Sequence, residues 1–98
     1  MNRCHEIVFF HFNPGTPFET QRAHMESMLG WVRSQPGFVE RAGFHDATHD
    51  TWVDHLTWLD PASAQAAFAA FGQASELAPV RASIASDGIV AGHFRRVL

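Results

Sequence analysis

A single cysteine, Cys4, leaves no internal disulfide and no Cys-x-x-Cys pattern for redox chemistry or zinc. It reads as a half-buried strand residue rather than a reactive thiol. Basic residues are few as well: seven Lys and Arg against ten Asp and Glu give a net charge of 7 − 10 = −3. No basic run could neutralise a row of phosphates, so nucleic acid is excluded as an expected partner. No apolar stretch approaches the roughly 20 residues that cross a bilayer. The polar start, residues 1–6, lacks the apolar core of a signal peptide, and a cytoplasmic protein without membrane contact is expected. Gly-x-Gly-x-x-Gly, phosphate-loop and zinc spacings are missing, as is a Ser/His/Asp order, which removes nucleotide-binding and hydrolase classes in their usual forms.

What remains is a chain of 98 residues, 46% of them apolar, which suits one globular domain over residues 1–98. A chain of this length hides only about two thirds of the surface its unfolded form exposes, so burial against a partner would add stability.

Strand and helix signals alternate. Ile7-Val8-Phe9-Phe10-His11-Phe12 is β-branched and aromatic, and Asn13-Pro14-Gly15 stops it. Thr16, Pro17 and Glu19 read as a capping box, with Thr16 as N-cap and proline at the first helical position. The helix that follows carries Phe18, Met25, Met28, Leu29 and Val32 at three- and four-residue spacing, until Pro36-Gly37 breaks it. Residues 38–44 and 51–59 read as antiparallel strands joined by a polar connection over 45–50. Asp60-Pro61 starts an alanine-rich helix with Ala64, Ala67, Phe68 and Phe71 on one stripe, and Gly72 closes it. Ser75 caps a further helical piece with Leu77, Val80 and Ile84, and Asp87-Gly88 leads into a last strand over 89–97.

The order βαββαβ predicts an α+β fold: a four-stranded antiparallel sheet with the helices on one face. The other face needs a cover too. In the first strand Glu6, Val8, Phe10 and Phe12 share one parity, and His5, Ile7, Phe9 and His11 the other, so both faces carry large apolar groups. No spare element exists to cover the second face, and a homodimer with isologous contacts is expected.

Seven histidines make imidazole the first candidate for acid/base work. His5 and His11 stand about 20 Å apart in an extended strand and cannot share a ligand. His45 and His49, beside Asp46 and Asp50, flank a connection and read as a solvated loop rather than a metal site, so no metal is expected. His11, His55 and His93 belong to three strands that this fold makes adjacent, and without bulges His11 and His55 line one face. Asp54 shares its parity with Trp52 and Trp58, which places a carboxylate among indoles; buried there it could act as a base, or it could pair with Arg41 or Arg22.

The stretches Phe12-Asn13-Pro14-Gly15, Gln35-Pro36-Gly37-Phe38 and Trp58-Leu59-Asp60, with Phe68 in the alanine-rich helix and His93-Phe94 in the last strand, make the whole chain resemble the dimeric α/β-barrel proteins related to antibiotic-biosynthesis monooxygenases. That resemblance implies two ferredoxin-like sheets closing face to face and a pocket in each subunit between sheet and helices, walled by a tryptophan such as Trp58. It implies a cofactor-free oxidation in which a deprotonated, electron-rich aromatic or polyketide-like substrate reacts with O₂. Haem-degrading members carry an axial histidine on the helix after that tryptophan; residues 71–81 contain none, and no cofactor is expected. The resulting candidate site has His55, Asp54 and His93 as catalytic groups and Trp58, Trp52, His11 and Phe68 as ligand-binding groups. The alternative is a non-catalytic stress-response or ligand-binding barrel module whose histidines serve the interface.

Overall fold

The structure, a computed structural model, describes residues 2–98. The elements run β1 (Cys4–Phe10), α1 (Phe18–Arg33), β2 (Phe38–Asp46), β3 (Thr51–Trp58), α2 (Pro61–Phe71), a 3₁₀ turn (Ser75–Leu77), α3 (Ala78–Ser83) and β4 (Val90–Phe94). The four strands form one antiparallel sheet in the order β2-β3-β1-β4, so β1 and β3, which open the chain's two halves, occupy its centre. This is the expected α+β arrangement.

Register decides which side chains meet. Cys4 pairs with Trp58, Glu6 with Leu56 and Val8 with Asp54 across β1 and β3, while Glu6 pairs with His93 and Val8 with Ala91 across β1 and β4. Directly opposed residues point to the same side of a sheet. One face therefore carries Cys4, Glu6, Val8, Phe10, Trp52, Asp54, Leu56, Trp58, Ala91 and His93, and this is the face the helices cover. The one irregularity lies in β2, between Phe38 and Glu40, leaving the alternation of β3 undisturbed.

Two apolar clusters pack between sheet and helices. Phe10, Phe12, Met25, Met28, Trp52, Leu77 and Val80 form one; Cys4, Val32, Leu56, Trp58, Ala64 and Ala67 form the other, and Trp31 packs against both. The alanines of α2 bring its backbone close to the sheet. Close approach shows also at Gly37, whose φ of +84° suits glycine and where a Cβ would collide with the Ser63 side chain.

Several local expectations change. Thr16 does not cap α1: its hydroxyl donates to the Asn13 carbonyl at 2.7 Å, closing the Pro14-Gly15 turn, and extended Pro17 takes the capping position. The helix starts one residue later than the capping-box spacing requires, and no side chain caps it. Asp60 does cap α2, accepting the Ser63 amide at 2.7 Å, and Gly72 ends it. Ser75 makes no capping bond; Ala74 precedes the 3₁₀ turn instead. β1 starts at Cys4 and ends at Phe10, earlier than expected at both ends, β2 extends to Asp46, and β4 stops at Phe94.

The face away from the helices is open. Phe9, Phe44, Val90 and Phe94 are 46, 59, 63 and 53% exposed, and the Phe94 ring lies over Gly92, where an added Cβ would strike it. His5 and His55 are on this side, Nδ1 of one 2.9 Å from Nε2 of the other. Among the described residues no helix is long and apolar enough to cross a membrane.

Candidate active site

A cavity of about 200 Å³ opens between the two apolar clusters. Val8, Phe10, Leu56 and Trp58 rise from the sheet as its floor; Met28, Trp31 and Val32 of α1 and Ala67, Phe68 and Phe71 of α2 form its walls, with Ile84 and Ile89 at the segment leading to β4. It exists because α2 offers alanine where a larger residue would fill the gap. Trp58 is only 1% exposed, so its ring is a fixed wall, whereas Phe68 is half exposed and stands at the mouth.

Two carboxylates, Glu6 and Asp54, are the ionisable groups lining this apolar space. The guanidinium of Arg41 holds Asp54 through two bonds of 2.8 Å, Nε to Oδ1 and Nη2 to Oδ2, and donates through Nη1 to the Met25 carbonyl, also at 2.8 Å. This is the planar two-point geometry that guanidinium and carboxylate favour. Glu6 accepts the indole N–H of Trp58 on Oε1 at 3.2 Å, and Nε2 of His93 stands 3.5 Å from the same oxygen. Burial pushes the Glu6 carboxyl above the usual carboxylate range; His93 and the Trp58 N–H act in the opposite sense, and the charge of Asp54 adds a smaller upward push.

The seven sequence-derived candidates separate. Asp54, Trp58 and Phe68 line the cavity, and His93 touches it through Glu6, its ring edge-on to Phe68 with centroids 5.7 Å apart. His55 does not join them. Neighbouring residues of a strand point to opposite faces, so the side that holds Asp54 excludes His55, which bonds His5 on the open face. His11 has left the sheet: its carbonyl accepts the Ala85 amide and its ring lies 3.7 Å from Asp87. The expectation that His11 and His55 line one strand face fails because β1 ends at Phe10. Trp52 is buried under the start of α1, stacked on Phe18 and donating to Gln21 at 2.8 Å, outside the cavity. The choice left open for Asp54 resolves toward Arg41.

Glu6 lines the cavity although it is not among the seven candidates. Its parity with Val8 and Phe10 was the available signal: one carboxylate in an otherwise apolar strand face. In the β2–β3 connection, His49 pairs with Asp46 at 2.7 Å and His45 with Asp50 at 2.9 Å, so each carboxylate serves its own imidazole. These bonds hold both carboxyls below the usual range. Among the described residues no three His, Cys, Asp or Glu side chains gather closely enough to hold a metal ion.

The fold is the small ferredoxin-like one, and other proteins share it over their whole length. Solved structures carry that statement. SnoaB from Streptomyces nogalater, a cofactor-independent oxygenase, superposes with a TM-score of 0.80 at 20% identity, covering all of this chain and 96% of that one. A Bordetella bronchiseptica protein, provisionally described as an antibiotic biosynthesis monooxygenase, matches over the whole of both chains with a TM-score of 0.82 at 14% identity. Another antibiotic biosynthesis monooxygenase gives 0.72 at 16% identity, over 97% of this chain and 99% of that one. At these identities the likeness establishes the fold. No family model matches the chain, and no curated protein matches it in sequence.

Proposed function

We propose that this protein is a cofactor-independent monooxygenase that binds a small aromatic or polyketide-like molecule in the cavity behind Trp58 and works as a homodimeric α/β barrel. The observation that carries the reading is the cavity itself: aromatic and aliphatic on every wall, yet containing buried carboxylates. An apolar ligand site with a few placed polar groups is the usual form of a small-molecule pocket. Flat rings fit between Trp58 below and Phe68 and Phe71 above, where stacking and edge contacts add to burial.

The reaction that suits such a cavity needs no metal. Loss of a proton from an acidic ring methylene leaves an electron-rich anion that reduces O₂. One oxygen atom becomes the new carbonyl, and the other leaves as water with the two methylene hydrogens. SnoaB, which shares the fold, is described as a cofactor-independent oxygenase. The open sheet face supports the dimer, since Phe9, Phe44, Val90 and Phe94 lie in water unless a second copy covers them.

The test is oxygen uptake with 1,8-dihydroxyanthrone in the presence of a chelator, beside a thermal-shift measurement with the same compound. Expected are a rise in melting temperature and consumption of one O₂ per anthrone as the quinone appears. Binding without oxygen uptake would point instead to a ligand-carrying module, and no binding would remove the cavity from the functional account.

A further inference from the structure

Resting on the reading of the cavity as an oxygenase site, a division of labour between its two carboxylates can be drawn. Both oxygens of Asp54 already accept from Arg41 at 2.8 Å, and protonating that carboxylate would discharge one half of a buried ion pair. Glu6 is held at one end only. Oε1 takes the Trp58 N–H and faces His93, while among the described residues nothing donates to Oε2. Nor is Oε2 sealed away, since no buried side-chain oxygen among the described residues lacks a partner and Glu6 lines the cavity. One oxygen is fixed, and the other, accessible and without a donor, belongs to a residue that lines the cavity.

We propose that Glu6 is the catalytic proton acceptor of the cavity, taking through Oε2 the acidic C–H or O–H proton of an uncharged aromatic substrate, and that His93 is the positioning residue that steadies Oε1 and passes the proton to solvent. The balance is simple. The substrate C–H or O–H bond breaks, its electron pair stays delocalised over the rings, and a new O–H bond forms at Oε2. Negative charge moves from a localised carboxylate to a delocalised anion, so the cavity's net charge does not change. Burial disfavours the localised charge more than the delocalised one, which favours transfer in the forward direction. A carboxyl raised by burial is also the better base near neutral pH.

The arrangement of titratable groups fits this path. Asp54 on β3 and His93 on β4 face Glu6, Cys4 lies two residues away on β1, and Arg41 stands behind Asp54. From α1 and α2 only apolar side chains reach the cavity. His93 is 26% exposed against 9% for the Glu6 side chain, so the imidazole bridges the carboxylate and the outside. Its ring is set edge-on against Phe68 at the mouth. With two carboxylates in its lining and Arg41 committed to Asp54, the cavity discriminates against carboxylate and phosphate ligands and favours neutral phenols, quinols and anthrones.

Proton abstraction is measured without oxygen by incubating the full-length protein anaerobically with 1,8-dihydroxyanthrone in D₂O and following the methylene signal by proton NMR. The wild type is expected to accelerate exchange. Glu6→Gln, which keeps the shape and an acceptor for Trp58, is expected to lose about 10²-fold or more, and Glu6→Asp to recover part of the rate. His93→Gln keeps exchange but shifts its pH profile, a change that loss of a merely structural contact would not produce. Exchange at the wild-type rate in Glu6→Gln overturns the proposal, as does a wild type that binds the anthrone without accelerating exchange. Binding is read separately, by quenching of tryptophan fluorescence. No binding sinks the cavity reading, whereas undiminished oxygen uptake by Glu6→Gln leaves that reading standing and removes Glu6 from it.

Discussion

The indole Nε1 of Trp58 donates to Oε1 of Glu6 at 3.2 Å across the two central strands, so a fully buried ring ends on a buried carboxylate. That bond satisfies the indole, yet it does not offset the burial of Glu6, whose carboxyl stays above the usual range. The direction fixes a pH dependence. The folded state keeps the Glu6 proton to higher pH than the unfolded chain, so between the two pKa values the folded state binds more protons and stability falls as pH rises. Glu6→Gln removes that slope. The variant is expected to be more stable than wild type at neutral pH, by a margin that shrinks toward pH 4, as read from urea midpoints across the range. A margin that grows on acidification would contradict the burial argument.

Arg41 and Asp54 make the opposite case, a buried pair with both partners satisfied. Removing one partner leaves an uncompensated charge, and Arg41→Ala is expected to cost about 3–5 kcal/mol. Replacing both by apolar residues, as in Arg41→Met with Asp54→Leu, is expected to be close to neutral, because the desolvation of two ions is relieved together. Chemical denaturation of the single and double variants gives the comparison.

Gln21 is almost fully buried and joins three elements of the chain: it accepts from Trp52 Nε1 at 2.8 Å and donates to the Thr16 carbonyl at 2.8 Å and to Asp50 at 3.2 Å. Gln21→Leu keeps the volume and leaves the Trp52 N–H without a partner. The expected loss is roughly 1–3 kcal/mol, measured by urea unfolding followed through tryptophan emission.

Much of this layout was legible in the residues. Asn13-Pro14-Gly15, Pro36-Gly37 and Asp60-Pro61 punctuate the chain so clearly that element order and sheet type follow from them. Parity did the rest for Asp54 and Trp58, whose even spacing put them on one face. Where sequence and structure part, a non-local contact intervenes. Thr16 looks like a cap, but it belongs to the turn closed on the Asn13 carbonyl, and the helix begins behind Pro17. Glu6 shares the parity of Val8 and Phe10 but belongs by composition to a polar start, and the contact that marks it, the Trp58 indole, lies 52 positions away. His55 was grouped with Asp54 although a period of two separates them, and its partner His5 lies 50 positions away.

Ala67 tests whether the cavity is a binding site. Its methyl faces the open volume from α2 and is buried, so Ala67→Phe places a ring inside the cavity instead of in packed core. Overfilling a packed core costs about 1–3 kcal/mol, but here the void receives most of the added ring. The expected result is a melting temperature near that of wild type and loss of the shift produced by 1,8-dihydroxyanthrone. Retention of the full shift would place the ligand elsewhere.

The open face is tested by charge. Phe9 is central on it, opposed to Val53 on one side and Val90 on the other, and half of it is already in water. Phe9→Lys therefore changes little inside the isolated subunit, while in a face-to-face dimer it buries an ammonium among apolar groups, twice over by symmetry. Light scattering should give twice the chain mass for wild type and the single chain mass for the variant at micromolar concentration. A wild type with the single chain mass would mean that these phenylalanines meet water as they stand, and the barrel would have to be abandoned while the Glu6 cavity, built wholly within one chain, would not.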